Sequence, residues 1–200
     1  MKELETGTFS ILAFSSDSQS IGVAVASGSI SVDQRVPYAQ PGVGVIATQA
    51  YTRVAYGNQG LKLLSRGLSP IQALNRLLKE DPNQEYRQVG IMDFKRRKAS
   101  FTGCEVPQFH GRVIGRDYLV IGNLLAEQEV VESMAQEFED SEGGLARRMI
   151  RALEAGRNRG GDRRGEKSAA LIVVSMEEVE VKIRVYVHDS PIEELHRHLK

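Results

Sequence analysis

The sequence predicts an α+β fold, a four-layer α/β/β/α sandwich of two mostly antiparallel sheets, on three observations. Strands follow one another without single crossover helices between them, which is the pattern of antiparallel sheets. Helices arrive in pairs, and each pair has an apolar stripe that must cover a sheet face. Several strands are apolar on both faces and so belong between two layers. Two sheets packed together with helices outside satisfy all three.

Taken in order, residues 8–14 form the first strand, with Phe9, Ile11 and Ala13 on one face and Thr8, Ser10, Leu12 and Phe14 on the other. The polar run 15–20 is a turn whose side chains bond their own backbone, and 21–27 is the hairpin partner. Its Gly22, Ala24 and Ala26 share a face suited to close approach by another layer. A loop follows over 28–41, then a third strand over 43–49. The period then becomes helical at 57–66, with Leu61 and Leu64 inward and Gly67 as the stop. Ser69-Pro70-Ile71-Gln72 is a capping box with proline at the first helical position. It opens a helix with Ile71, Leu74, Leu77 and Leu78 as its stripe, ended by Asp81-Pro82-Asn83.

Strands return at 86–92 and 99–102, joined by the basic turn 95–98. After a looser section over 103–117, residues 118–122 form a strand that ends at Asn123. Two helices follow, 127–139 with Val130, Val131, Met134 and Phe138 inward, and 145–155 burying Leu145, Met149, Ile150 and Leu153. Beyond a polar loop at 156–167, residues 168–174 are the clearest buried strand. Its partner, 179–187, alternates with Val179, Val181, Ile183, Val185 and Val187 inward. Ser190-Pro191-Ile192-Glu193 reads as a second capping box opening a short terminal helix. No repeat or linker interrupts this order, so residues 8–200 form one domain behind an extension over 1–7, a candidate propeptide.

Composition narrows the function. The 200 residues carry 26 Lys plus Arg and 26 Asp plus Glu, so no overall field draws the chain to nucleic acid or to membrane. A single cysteine, Cys104, excludes an intrachain disulfide and fits a reducing compartment. The first residues have no apolar signal core, and no apolar run reaches 18 residues. A soluble, cytoplasmic protein is the expectation.

The chemistry concentrates at Gly7-Thr8. Cutting that bond would give Thr8 a hydroxyl nucleophile and a free α-amine, whose ordinary pKa of about 7.7–8.0 suits a general base near neutral pH. The simpler reading is a threonine that starts a strand. Gly160-Gly161-Asp162-Arg163-Arg164-Gly165 is the most distinctive loop, and Asp162 and Ser168 stand where it feeds a buried strand. They are placed either to orient a nucleophile or simply within a solvated charged loop. Asp33 and Arg35 form either an electrostatic neighbour for an amine or a surface ion pair. Cys104 and His110 share a loop without the spacing of a thiolate–imidazole pair. His196 and His198 are two apart on a helix and face different ways, so no metal site is expected. The basic clusters 95–98 and 157–164 lack the interleaved aromatics that stack bases, and no phosphate-cradling Gly-Lys-Ser/Thr loop is present.

Several segments together resemble one known family. They are Thr8-Phe9-Ser10-Ile11, Gly22-Val23-Ala24-Val25-Ala26-Ser27, Gly42-Val43-Gly44 through Ala47-Thr48-Gln49-Ala50, Gly122-Asn123-Leu124-Leu125, and Gly161-Asp162-Arg163-Arg164-Gly165 through Ser168-Ala169-Ala170. The family is domain-of-unknown-function family ten twenty-eight, placed among proteins with the N-terminal-nucleophile (Ntn) hydrolase-like fold. The resemblance implies the same α/β/β/α sandwich. It also implies amide cleavage by acyl transfer to Thr8, with Asp162 and Ser168 supporting the threonine and Arg35 standing where such enzymes place a lysine. On the same resemblance, Thr48, Gln49 and Ala50 line an oxyanion hole, with Ser27 and Asn123 beside them as substrate-binding residues. The expected partners are a small-molecule or peptide amide and further copies of the chain, without a cofactor. Gln108-Phe109-His110-Gly111 departs from the family's pattern. With Met1 to Gly7 attached, the Thr8 amine is held in an amide, so self-cleavage at Gly7-Thr8 is one expectation. A non-catalytic Ntn-like binding or scaffold domain is the other.

Overall fold

The computed structural model describes residues 7–17, 19–107 and 109–199. Met1 to Thr6 of the expected extension, the turn residue Ser18 and Gln108 lie outside the described residues. Two antiparallel sheets form the centre. The six-stranded sheet contains β1 (Thr8–Phe14), β2 (Ile21–Ser27), β7 (Gly111–Ile114), β8 (Tyr118–Asn123), β9 (Ser168–Val174) and β10 (Val179–Val185), in the order β10-β9-β2-β1-β8-β7. The four-stranded sheet runs β3-β4-β5-β6, from β3 (Pro37–Gln40), β4 (Gly44–Ala50), β5 (Arg87–Asp93) and β6 (Lys98–Thr102). Helices α1 (Ala55–Ser65) and α2 (Pro70–Lys79) cover the smaller sheet, while α3 (Glu129–Asp140), α4 (Leu145–Asn158) and α5 (Pro191–His198) cover the larger. This is the four-layer sandwich.

Three apolar layers hold it together. Leu12, Val23, Val25, Ile121 and Ile172 meet Val45, Ala47 and Met92 between the sheets. The opposite face of the larger sheet, with Phe9, Ile11, Val120 and Leu171, packs on Met134, Phe138, Met149 and Leu153 of α3 and α4. The smaller sheet's outer face, with Ile46, Val89 and Ile91, packs on Tyr56, Leu61, Leu74 and Leu77. Strands sandwiched in this way are apolar on both sides, and that is why β1, β2 and β9 are buried along their whole lengths. No helix among the described residues is long and apolar enough to cross a membrane.

The structure corrects the sequence reading in several places. Strands β3 and β7 are short and half-exposed, and they lie in segments that read as loops because neither carries a run of apolar residues. The Ser69 capping box forms as expected, but Ser190 makes no side-chain cap bond. Ile71 is exposed, and Ala73 takes its place in the buried stripe. Val179 and Val187 are exposed as well: Val179 opens the edge strand, where the register shifts before Val181, and Val187 lies beyond the strand's end at Val185.

Candidate active site around the Gly7–Thr8 peptide

Cross-strand register builds the site at one end of the sandwich. Thr8 stands opposite Ser27 on β2 and Asn123 on β8, and Ser27 in turn stands opposite Ser168 on β9. Opposed residues in antiparallel strands point to the same face. The row Ser168-Ser27-Thr8-Asn123 therefore replaces the apolar inter-sheet core with hydroxyls and an amide, all buried.

The Gly7 carbonyl is the focus of this row. Its oxygen accepts from Ser27 Oγ at 2.6 Å and from Arg164 Nη2 at 3.1 Å, and Thr8 Oγ1 lies 2.5 Å from it. Thr8 Oγ1 is also 3.0 Å from Ser27 Oγ. A hydroxyl has one proton, so while Ser27 donates to the Gly7 oxygen, Thr8 donates to Ser27. The backbone N–H of Ser29 also donates to Ser27 Oγ, at 3.1 Å, which fixes that hydroxyl's direction. The result is a hydrogen-bonded relay from Thr8 through Ser27 to the carbonyl of the preceding peptide.

Asp162 and Arg164 form the opposite wall. Arg164 grips the Asp162 carboxylate with a two-pronged contact, Nε to Oδ1 at 3.0 Å and Nη2 to Oδ2 at 2.7 Å, and the Gly28 N–H donates to Oδ2 at 2.7 Å. Positive φ at Gly161 (52°) and Gly165 (76°) lets the loop fold back so that residues two apart make this fork. The carboxylate lies against the Gly7 α-carbon. A Cβ built there would sit 2.5 Å from Asp162 Oδ2, so any side chain before Thr8 must shift either the peptide or the clamped carboxylate.

Glu166 closes the same loop, accepting the Asp162 N–H at 3.0 Å, and burial pushes its carboxyl above the ordinary range. A raised carboxyl pKa means that the folded state binds the proton more tightly than the unfolded chain. The ionised Glu166 therefore subtracts from stability above its folded pKa, and the loss fades as pH falls through that value. Glu166→Gln should raise the urea midpoint near neutral pH, with the gain shrinking toward the ordinary glutamate value of about 4.3. A gain that does not change with pH would contradict this role.

The second layer comes from the smaller sheet. Gln49 Nε2 donates to the Thr8 carbonyl at 3.1 Å and to Gln88 Oε1 at 2.8 Å, and Ser10 Oγ donates to Gln49 Oε1 at 2.7 Å. Asn123 Nδ2 donates to Gln88 Oε1 at 3.1 Å and reaches the Thr8 carbonyl at 3.4 Å. Four buried polar side chains thus hold the start of β1 across the two sheets. Ala50 ends β4 in the left-handed region at φ 64°.

The other expected residues take different places. Ser168 does not touch Thr8. Its Oγ donates to the Ser29 carbonyl at 2.5 Å and accepts the Val32 N–H at 3.1 Å, tying down the loop whose Ser29 N–H orients Ser27. Arg35 donates to the Ile30 carbonyl at 3.0 Å, and the guanidinium at the Gly7–Thr8 peptide is that of Arg164. The Thr48 N–H is spent on the Val36 carbonyl at 3.1 Å, and its hydroxyl points to the Arg53 carbonyl at 3.5 Å. Asp33 lies 3.7 Å from Arg184. Cys104 is exposed, and its hydrogen bond to Glu85 pushes the thiol pKa up, the wrong direction for a nucleophile. His110 Nδ1 lies 3.0 Å from the Pro107 carbonyl oxygen. Among the described residues, no three His, Cys, Asp or Glu side chains gather as a metal-ligating group. Neither Arg164 nor Gln88 stands out in the sequence as a site residue. Ser27 reads from the resemblance only as a substrate-side residue, although a hairpin with equal arms around residues 17 and 18 pairs it with Thr8.

The fold is Ntn-hydrolase-like, with a threonine at the head of its first strand. The chain matches the family described as "Family of unknown function (DUF1028)" over residues 8–195, and it belongs to that family. The crystal structure of protein SPO2555 from Silicibacter pomeroyi, also of DUF1028, superposes with a TM-score of 0.88 at 32% identity, covering 96% of this chain and 87% of that one. The Anbu (Gly-1) mutant from Hyphomicrobium sp. strain MC1 superposes with a TM-score of 0.50 at 10% identity over 96% of this chain and 92% of that chain, a likeness of fold alone. No curated protein matches the sequence.

Proposed function

We propose that this protein is an Ntn amidohydrolase that cleaves its own Gly7–Thr8 bond and then uses Thr8 for acyl transfer from an amide substrate. The observation that carries this reading is the relay from Thr8 through Ser27 to the Gly7 carbonyl, with Arg164 beside the same oxygen. In the first step Thr8 Oγ1 bonds to the Gly7 carbonyl carbon. The Thr8 proton passes to Ser27 Oγ, and the proton of Ser27 passes to the Gly7 oxygen. The Arg164 guanidinium steadies the negative charge that builds on that oxygen before the proton arrives, as a donor aimed at a developing oxyanion does. Collapse breaks the carbon–nitrogen bond as the proton on the Gly7 oxygen passes to the nitrogen, which leaves Gly7 as an ester on Thr8 and Thr8 with a free amine. Water hydrolyses the ester, releasing a chain that ends in the Gly7 carboxylate and freeing the Thr8 hydroxyl. The free amine then serves as base for its own hydroxyl. Asp162, already against Gly7, is the carboxylate proposed to balance the amine when it is protonated.

The fit at Gly7 gives a test of the first step. Gly7→Ala should slow cleavage by up to roughly 10²-fold, because the added methyl displaces either the peptide or the clamped Asp162. A time course by intact mass checks this, and an unchanged rate would show that cleavage does not use this geometry.

The second step calls for its own experiment. Incubating the processed protein with a peptidyl epoxyketone, which bonds both the hydroxyl and the amine of an N-terminal threonine, should add one inhibitor mass on Thr8. Processed protein that takes up no inhibitor would contradict the hydrolase reading and favour a binding domain that keeps the sandwich.

A further inference from the structure

The outer helix layer on the larger sheet is divided by charge. Helix α3 carries Glu129, Glu132, Glu137, Glu139 and Asp140 and no lysine or arginine. Helix α4, beside it, carries Arg147, Arg148, Arg151 and Arg157 against one acid, Glu154, and Arg159 follows at its end. Glu129, Glu132, Asp140, Arg147 and Arg159 are exposed. Among the described residues, no ion pair joins the two helices. Arg157 and Glu154 turn instead to Glu193 and His196 of α5. Neighbouring helices of opposite charge that leave each other unpaired form a surface complementary to itself.

We infer that this helix layer is the face through which two copies of the chain associate, α3 of one lying over α4 of the other. The hairpin topology sets the geometry. Helices α3 and α4 are joined by residues 141–144 and run antiparallel, so the Asp140 end of α3 lies beside the Arg147 end of α4. A two-fold axis running along the furrow between them, parallel to both, places each acidic helix over the partner's basic one. Asp140 and Glu137 then face the Arg147–Arg151 end, and Glu129 and Glu132 face the end with Asn158 and Arg159. Ser133, Gln136 and Ala155 line the furrow among its charged residues, and these three are not bulky enough to keep the partner's ridges out. Complementary charge of this kind sets register and partner choice. The surface is independent of the Thr8 chemistry, so the failure of either reading leaves the other standing.

Sedimentation equilibrium of the full chain tests the inference. The wild type should be a dimer at low ionic strength, and its dissociation constant should rise at least roughly tenfold between about 50 mM and about 500 mM salt, where the screening length falls to a few ångströms. Glu132→Arg with Asp140→Arg reverses the charge of the exposed α3 positions at 132 and 140, and Arg147→Glu with Arg151→Glu reverses that of the α4 positions at 147 and 151. Each double variant should be monomeric alone, and an equal mixture should regain the dimer mass, which a misfolded variant would not do. A wild type that stays monomeric at low salt overturns the inference. So does an oligomer that is indifferent to salt and to both charge swaps.

Discussion

Asp81→Ala is expected to cost about 3–5 kcal/mol of folding stability. Asp81 follows α2, and its side chain is 1% exposed. Its carboxylate accepts from Arg87 Nε at 2.8 Å, Tyr56 OH at 2.8 Å and the Asn83 N–H at 3.0 Å, and Arg53 Nη1 lies 2.8 Å away. Removing it leaves the buried Arg87 guanidinium without its counter-charge, the costly half of breaking a buried pair. Burial pushes the Asp81 carboxyl up, but the hydrogen bonds from Arg87, Asn83 and Tyr56 outweigh it and hold the carboxyl well below the usual range. A depressed carboxylate stabilises the fold fully above its unfolded pKa of about 3.9, and that stability is lost as pH falls through the folded value. The deficit of the variant should therefore be largest near neutral pH and shrink below about pH 4. Urea denaturation followed by circular dichroism at both pH values measures it, and a loss under about 1 kcal/mol at neutral pH would contradict the account. The cluster also reaches toward the site. Arg87 Nη1 donates to the Tyr51 carbonyl at 2.5 Å, just beyond the left-handed Ala50 and the Gln49 that holds Thr8.

Ser27→Ala should slow release of residues 1–7 by about 10²–10³-fold, the usual cost of losing one donor to a developing oxyanion. The substitution removes both the 2.6 Å donor to the Gly7 oxygen and the acceptor of the Thr8 proton. Arg164 remains, so slow cleavage should persist. That separates Ser27→Ala from Thr8→Ala, which removes the nucleophile itself. Deleting a small hydroxyl from the end of β2 should leave the thermal midpoint nearly unchanged, whereas a large drop would assign Ser27 to structure. Cleavage at the wild-type rate would show that the relay is not used.

The layers of the fold were legible because their causes are local. Strands buried on both faces, such as Ser168–Val174, announce themselves by composition, and helices such as α2 announce themselves by period and cap. Strands β3 and β7 were not legible, since edge strands of four residues gain their order from the neighbour they pair with. The site divides in the same way. Thr8 and Asp162 stand out in the sequence as a threonine at a strand head and an acid in a glycine-rich loop. Arg164 was not visible, because its use depends on a backward fold at Gly161 and Gly165 that composition permits but does not specify. Ser168 was assigned to the threonine from its place before β9, yet the register puts Ser27 between them. Gln49, Gln88 and Asn123 meet only because one sheet is stacked on the other, and no single strand records that alignment.

The central claim is that Thr8 becomes an N-terminus by the protein's own chemistry. Intact mass spectrometry of the purified wild type, followed over time beside Thr8→Ala, tests it most directly. The wild type should lose residues 1–7 to begin at Thr8, while the variant keeps its full mass. A wild type that stays whole, or a variant that is trimmed at the same bond, would contradict it.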